Sequence, residues 1–205
     1  MIDDTPVEQL MLGDEFGRSI VSEPLSRNID SILSDLQTAR GAAFVTLLKE
    51  ITNHPTYSAL KTDPNIYTIG GEKGEDYDNL LNAARKAVEH GYRVFILPNP
   101  KGFRTADFVF VRKGMYRLYD LKTISGKASV TNRLGESIGQ SNRVLLNMVA
   151  DYNPRLLASD IKGYFETSRD AIEVLIFKGK KILPVNRSEV LSPHFNRIFR
   201  KRYEK

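Results

Sequence analysis

Two apolar segments separated by three polar residues constrain the fold of this chain more than any other feature. Phe108–Val111 and Met115–Leu121 each have the length and residue types of a buried strand. The residues between them, Arg112-Lys113-Gly114, suit the tight connection of a hairpin. The pattern therefore predicts two antiparallel strands at the centre of a sheet.

Further strands and helices are predicted on both sides of this hairpin. Apolar residues recur at helical spacing at residues 76–90, 131–140 and 154–165. Strand-like runs occupy residues 92–97, 143–149, 172–177 and 181–185, the last two joined by Lys178-Gly179-Lys180. The order αβββαβ followed by αββ predicts an α/β (α+β) fold with a mixed central sheet flanked by helices.

The first seventy residues have a different pattern. Apolar residues between 26 and 52 recur at helical spacing, and Gly41 divides them into two candidate helices. Pro55 and Pro64 interrupt the pattern, and a glycine-rich stretch occupies residues 70–74. We therefore expect a helical N-terminal segment of unknown role at 1–70 and a larger domain at 71–205.

Charge and composition narrow the classes of function. Residues 1–70 have a formal charge of −5 and residues 71–205 one of +10, a pattern typical of polyanion-binding proteins, although basic proteins are also common for solubility alone. The chain has no cysteine and three histidines, which excludes disulfides, thiol nucleophiles and cysteine-held zinc. A bound metal would depend on carboxylates, which favour hard ions.

The chain has neither of the usual membrane signals. No apolar run reaches the roughly 18 residues of a membrane span. The first residues, Met-Ile-Asp-Asp-Thr-Pro, are acidic and polar where a secretion signal would be basic and then apolar. We expect no membrane span and no signal peptide in this chain.

Three charged residues in the predicted hairpin form a candidate catalytic group. Asp107 begins one strand, and Asp120 lies near the end of the next, two residues before Lys122. Residues two apart on a strand point to the same face, and the hairpin brings Asp107 and Asp120 to corresponding strand ends. Two carboxylates can share a divalent cation, and the lysine can orient a water or stabilise a phosphate in the transition state. The alternative is an exposed surface ion pair.

Four short motifs resemble a known superfamily. They are Gly-Tyr-Arg-Val at 91–94, Ala-Asp-Phe at 106–108, Tyr-Asp-Leu-Lys-Thr at 119–123 and Gly-Gln-Ser-Asn-Arg-Val-Leu-Leu-Asn at 139–147. Together they resemble the PD-(D/E)xK nucleases, and in particular the C-terminal nuclease toxins of bacterial contact-dependent growth inhibition proteins. The resemblance covers roughly residues 75–187, and Ala106 stands where that family has proline.

The resemblance implies a restriction-endonuclease-like core and a metal site. Asp107 and Asp120 would hold Mg²⁺ or Mn²⁺, with Zn²⁺ as a further option. A carboxylate on the preceding helix would complete the site, and Asp78 and Glu75 are the candidates. Asp78 is equally suited to be an ordinary acidic residue in the first turn of a helix.

The resemblance also implies roles for two residues after the Asp-x-Lys strand. Gln140 would take part in catalysis by binding a water or the attacked phosphate, and Arg143 would bind a phosphate oxygen. Capping and solvation, where the helix meets the next strand, are the structural alternatives for both.

Four more polar residues are candidates for contact with nucleic acid. Thr123 and Ser125 follow Lys122 and could contact phosphate, or merely end the strand. Lys101 and Arg104 lie on a glycine-containing loop before Asp107, where they could contact the backbone of a nucleic acid or simply add solubility.

The leading hypothesis is a metal-dependent nuclease that hydrolyses phosphodiester bonds in DNA or RNA, including tRNA. The resemblance further implies a toxin that is delivered as part of a larger secreted protein, acts in the bacterial cytoplasm and is neutralised by a cognate immunity protein. Two alternatives stay open: a metal-independent, barnase-like ribonuclease, and a nucleic-acid-binding or assembly module on a nuclease-like fold that does not cleave.

Overall fold

The fold is a mixed sheet of eight strands that lie side by side in chain order. The computed structural model describes residues 26–70, 75–126 and 130–205. The strands are β1 (Ser58–Ala59), β2 (Ile66–Thr68), β3 (Arg93–Ile96), β4 (Phe108–Arg112), β5 (Met115–Ile124), β6 (Arg143–Met148), β7 (Glu173–Lys178) and β8 (Lys181–Asn186). The β2–β3, β5–β6 and β6–β7 pairs are parallel, and the other four pairs are antiparallel.

Helices flank this sheet, which confirms the predicted α/β architecture. In the described residues they are α1 (Ile29–Thr38), α2 (Gly41–Thr52), α3 (Glu75–Glu89), α4 (Val130–Glu136), α5 (Pro154–Thr167), α6 (Arg187–Val190) and α7 (Phe195–Glu204). Within that part of the chain, no helix has the length and apolar character needed to cross a membrane.

The predicted hairpin is formed by β4 and β5. Arg112 pairs with Met115, and the two residues of the turn, Lys113 and Gly114, have φ angles of 50° and 75°. Positive φ at both central positions is the type I′ geometry, which matches the twist of the flanking strands. The hairpin was therefore correctly predicted from the short polar connection.

β5 is longer than the sequence pattern predicted, and this changes where the site residues lie. The apolar run ends at Leu121, but β5 continues to Ile124 because it pairs in parallel with β6, from Asp120↔Val144 to Ile124↔Met148. Asp120 and Lys122 therefore lie inside a strand that pairs with β6, just beyond the end of its pairing with β4.

The next helix is shorter than the predicted span of 131–140. α4 ends at Glu136, and turns occupy residues 137–140. Gly139 in this stretch has a φ of 86°, a left-handed conformation that residues with a Cβ rarely adopt. The backbone thus leaves the helix before Gln140.

Each face of the sheet has its own apolar cluster. On one face, which we call the α3 face, α3 packs on residues such as Phe108, Tyr119 and Leu145. On the second face, α1 and α2 cover Leu118 and its neighbours in β3 and β4. Helices α4–α7 cover the β5–β8 part of that second face, including Ile124. Alternate residues of β5 therefore face different helices.

The N-terminal helices pack directly on the sheet. Gly41 begins α2, so the two helices predicted on either side of it are both present. Strand β2 pairs in parallel with β3 through Ile66↔Val94, and α1 and α2 share a buried cluster with β3, β4 and β5. These contacts cross the boundary predicted near residue 70, while residues 1–25 and 71–74 lie outside the described part.

Candidate active site

Asp120 is a buried carboxylate on the second face of the sheet. Only 2% of its surface is exposed, and it lies between Leu118 and Lys122 on the face that α4 covers. The Ser137 hydroxyl, just after α4, donates to Asp120 Oδ2. Lys122 Nζ lies 3.0 Å from the same oxygen. A hydroxyl and an ammonium therefore hold the same oxygen of this carboxylate.

Asp107 lies at the start of β4, beside Asp120. The β4–β5 ladder ends at the pair Phe108↔Tyr119, and beyond it the Leu121 N–H donates to Asp107 Oδ2 at 2.6 Å. The side chain thus takes the place of a strand backbone as the partner of Leu121. Because Leu121 lies between Asp120 and Lys122 in the chain, this bond holds Asp107 next to both.

The environment of Asp107 changes its ionisation. Burial, together with the negative charge and hydrogen bonding of Asp120, raises the pKa of the Asp107 carboxyl to about 7. The Leu121 amide and the Lys122 ammonium act in the opposite direction. Two carboxylates in contact near neutral pH are an arrangement that an added cation would relieve.

The donor set at this position suits a hard divalent cation. Two aspartate carboxylates supply oxygen ligands, and Mg²⁺ is commonly held by one or two carboxylates with water completing its shell. A third protein carboxylate is not brought close: in the described residues, no three His, Cys, Asp or Glu side chains cluster as metal ligands do. Asp78 is exposed on α3, which packs on the other face, and Glu75 begins α3 with a side chain outside the described part.

Gln140 and Arg143 are engaged elsewhere. The Gln140 side-chain amide donates to the Glu136 carbonyl at 2.6 Å, which caps the end of α4. Arg143 begins β6, and its Nε lies 3.3 Å from Glu173 Oε2. Arg117 and Tyr119 reach the same carboxylate, at 3.4 and 3.0 Å. Since Tyr119 belongs to the α3 face, Arg143 is part of a buried ion cluster on the side of the sheet opposite Asp120.

The four proposed nucleic-acid contacts are divided among different positions. Thr123 lies on the α3 face, and its Oγ1 is buried without a hydrogen-bond partner in the described residues. Ser125 is exposed directly after β5. Lys101 and Arg104 are exposed on the loop before Asp107, where the Arg104 carbonyl accepts a bond from Gln37 Nε2 at 2.8 Å.

Sequence reasoning missed Ser137 and Tyr164. Ser137 is fully buried against Asp120, and the Asp120 charge contributes to a Tyr164 phenol pKa that burial raises to about 12. A signal for Ser137 was present: Val130, Leu134 and Ser137 follow helical spacing, so a hydroxyl continues the apolar face of α4. Tyr164 had no such signal, because its nearness to the Asp120 charge depends on how α5 packs.

A pocket of about 390 Å³ lies on the same face as Asp120. It opens between α1, α2 and the turn after α4, and its lining includes Ala106, Leu118, Gln140 and Arg104. Ala106 precedes Asp107, and Leu118 lies two residues from Asp120 on the same face. Neighbours of the candidate group line this pocket, whereas Asp107, Asp120 and Lys122 themselves are not in its lining.

Comparisons with known proteins give one structural similarity. No protein-family model and no curated protein matches the chain. A solved CdiA-CT/CdiI toxin and immunity complex from Burkholderia pseudomallei is similar at 17% identity and a TM-score of 0.38, covering 56% of this chain and 89% of that one.

Proposed function

We propose that this chain is a metal-dependent nuclease that hydrolyses phosphodiester bonds in DNA or RNA. The observation that carries the proposal is the contact group Asp107, Asp120 and Lys122, in which two carboxylates and an ammonium meet at the end of the β4–β5 ladder. The basic balance of residues 71–205 suits a polyanionic substrate.

Each residue of the group has a distinct task in this proposal. Asp107 and Asp120 would hold Mg²⁺ or Mn²⁺, which when bound supplies a Lewis acid against the charge of the phosphodiester group. Lys122 would orient the attacking water and stabilise the added negative charge of the transition state. Ser137 acts through Asp120 as a positioning residue, since its hydroxyl fixes the carboxylate without facing the substrate.

The histidines favour this proposal over a histidine-dependent ribonuclease. Both ring nitrogens of His54 are engaged, with Thr56 Oγ1 and the Arg27 carbonyl, each at 2.7 Å. The ring of His90 stacks on Phe177 of the α3 face. His194 precedes the first turn of α7. None of these described contacts links a histidine to Asp107 or Asp120.

We further propose that the nuclease is the toxic part of a contact-dependent growth inhibition protein. The support is the motif resemblance over residues 75–187. On this proposal the domain is delivered by a larger secreted protein, acts in the cytoplasm of the recipient bacterium and is neutralised by a cognate immunity protein.

The test is cleavage of plasmid DNA and of bulk tRNA by purified protein, with Mg²⁺, with Mn²⁺ and with EDTA. We expect cleavage with metal only, and a loss of at least about a hundredfold for Asp120→Asn and Lys122→Ala. Matched controls are Glu166→Gln and Lys162→Ala, an exposed acid and an exposed lysine on α5. Both should retain wild-type rates.

Each alternative function has its own outcome in this assay. Cleavage that persists in EDTA and in Asp120→Asn would indicate a metal-independent ribonuclease. Binding of either nucleic acid without cleavage under any condition would indicate a binding or assembly module. Equal cleavage by the wild type and both site variants would overturn the assignment of the catalytic group.

A further inference from the structure

A second concave surface lies at the edge of the sheet where β6 and β7 end. It is a crevice of about 640 Å³, and four of the residues that line it are lysines: Lys86, Lys178, Lys180 and Lys181. They come from α3, from the end of β7, from the β7–β8 turn and from the start of β8. Two separate parts of the fold, α3 and the β7–β8 hairpin, therefore bring positive charge to one place.

This positive charge is only partly opposed by acids: Glu89 on α3 acts electrostatically on Lys86. In the described residues, none of the four lysines has a carboxylate within 4.0 Å, whereas ten other charge pairs are that close. Asp151 is the acidic residue in the lining. Lys178 instead contacts α7, where its Nζ lies 3.9 Å from the centre of the Tyr203 ring. Four lysines with one acid in a concave surface favour an anion.

Lys86 is fixed in position by a buried amide. Its Nζ donates to Asn147 Oδ1 at 2.6 Å, and Asn147 Nδ2 donates to Asn82 Oδ1 at 3.0 Å. Asn147 is fully buried in β6, so the bond reaches from the sheet to α3. A lysine held this way loses less side-chain entropy on binding an anion than a free one does.

The crevice lies at the sheet edge where β5, β6 and β7 end, and its Lys86 comes from α3, on the face opposite Asp120 and Lys122. Its wall continues from β6, and the N–H groups of Val149 and Ala150 donate to the Ile124 carbonyl at 3.0 and 3.2 Å. Ile124 ends β5 two residues after Lys122, which is about 7 Å along the strand.

We infer that this lysine crevice binds the phosphate backbone of the nucleic acid substrate. The inference rests on the proposed function, since it assigns a place to that substrate. Lys180 and Lys181 would contact phosphates as mobile charges, and Lys86 as a fixed one.

The test is the salt dependence of binding, measured by fluorescence anisotropy with a labelled 20-base-pair DNA duplex and with labelled tRNA in EDTA. The variants are Lys180→Ala/Lys181→Ala and Lys86→Gln, and the matched control is Lys61→Ala/Lys162→Ala, two exposed lysines outside the crevice. Each lost phosphate contact should reduce the slope of log K against log salt by about 0.9, so the crevice double variant should lose close to 2. The control should keep the wild-type slope.

Binding and cleavage fail independently in this design. Suppose that the wild type cleaves no nucleic acid, while the crevice variants lower the slope of log K against log salt. That result would contradict the nuclease proposal and support the binding role of the crevice. Cleavage by the wild type with equal slopes for crevice and control variants would overturn the crevice, as would wild-type protein that binds neither the duplex nor tRNA. Polyglutamate that competes as well as unlabelled duplex would assign the crevice to acidic proteins instead. Circular dichroism of Lys86→Gln checks that α3 is intact.

Discussion

The Asp107 carboxylate completes the β4–β5 ladder by accepting the Leu121 N–H, and so stands beside Asp120. The bond has two consequences. It gives a strand amide a partner at the point where backbone pairing stops, and it brings two acids together in a partly buried place. The contact that gives the Leu121 amide its partner therefore also places two carboxylates side by side. A bound cation would reduce their mutual repulsion.

The first prediction concerns the stability of the metal-free protein. The Asp107 carboxyl has a pKa of about 7 in the fold against an ordinary value of 3.8, so the folded state keeps a proton that the unfolded state has released. The free energy of unfolding should therefore fall as the pH rises from about 4 to about 7, by on the order of 4 kcal/mol, with the loss complete above pH 7. Urea unfolding at a series of pH values in EDTA measures this.

Asp107→Asn isolates the contribution of this one group. Asparagine can still accept the Leu121 N–H but does not titrate, so the variant should be less dependent on pH and more stable than the wild type at pH 8. Saturating Mg²⁺ should stabilise the wild type at pH 8 and leave the variant nearly unchanged. Identical pH profiles for both proteins would contradict the burial and charge pairing assigned to Asp107.

A second prediction concerns Ser137. Ser137→Ala removes a donor to the buried Asp120 carboxylate, which should lower the free energy of unfolding by about 1–3 kcal/mol. The control Ser31→Ala, at an exposed position of α1, should change it by less than about 0.5 kcal/mol. If Ser137 positions Asp120, its variant should also lower kcat with little change in KM, whereas a loss of stability with unchanged kcat would make the contact purely structural.

The hairpin provides a third prediction. In the described residues, Lys113 is the non-glycine residue with positive φ, and Asn-Gly is the preferred pair for a type I′ turn. Lys113→Asn should raise the free energy of unfolding by about 0.5–1 kcal/mol. Lys180→Asn in the β7–β8 turn should bring no such gain, because Lys180 has no positive φ. Thermal unfolding should show a higher midpoint temperature for Lys113→Asn than for Lys180→Asn. Equal midpoints would argue against strain at Lys113.

Features of the fold and of the candidate site could be predicted from the sequence where the residues that specify them are close together in the chain. The β4–β5 hairpin and the helix that ends before Gly91 rest on short patterns of apolar and turn residues, and both are present. The meeting of Asp107 and Asp120 followed from the hairpin register alone. The extension of β5 to Ile124 did not, because it depends on pairing with β6, some twenty residues further along the chain.

The partners of the site residues were the least predictable part. Arg143 has the residue type and position expected of a phosphate ligand, but the register places it beside Glu173 on the α3 face. Lys86 and the β7–β8 lysines are far apart in the chain and converge only when α3 packs on the sheet. Such contacts depend on which face of the sheet each strand residue occupies. An error of one residue in the predicted register moves every side chain of the strand to the opposite face.

The last prediction separates the two roles considered for Arg143. Glu173 is 7% exposed and is shared by Arg143, Arg117 and Tyr119, so Glu173→Gln should leave buried positive charge unpaired and lower the free energy of unfolding by about 3 kcal/mol. Arg143→Met should also destabilise, because the carboxylate then loses one of its partners. If Arg143 belongs only to this cluster, Arg143→Met will keep the wild-type salt slope in duplex binding and the wild-type KM for the folded fraction. A slope reduced by about one, with no loss of stability, would instead return Arg143 to the role of a phosphate ligand.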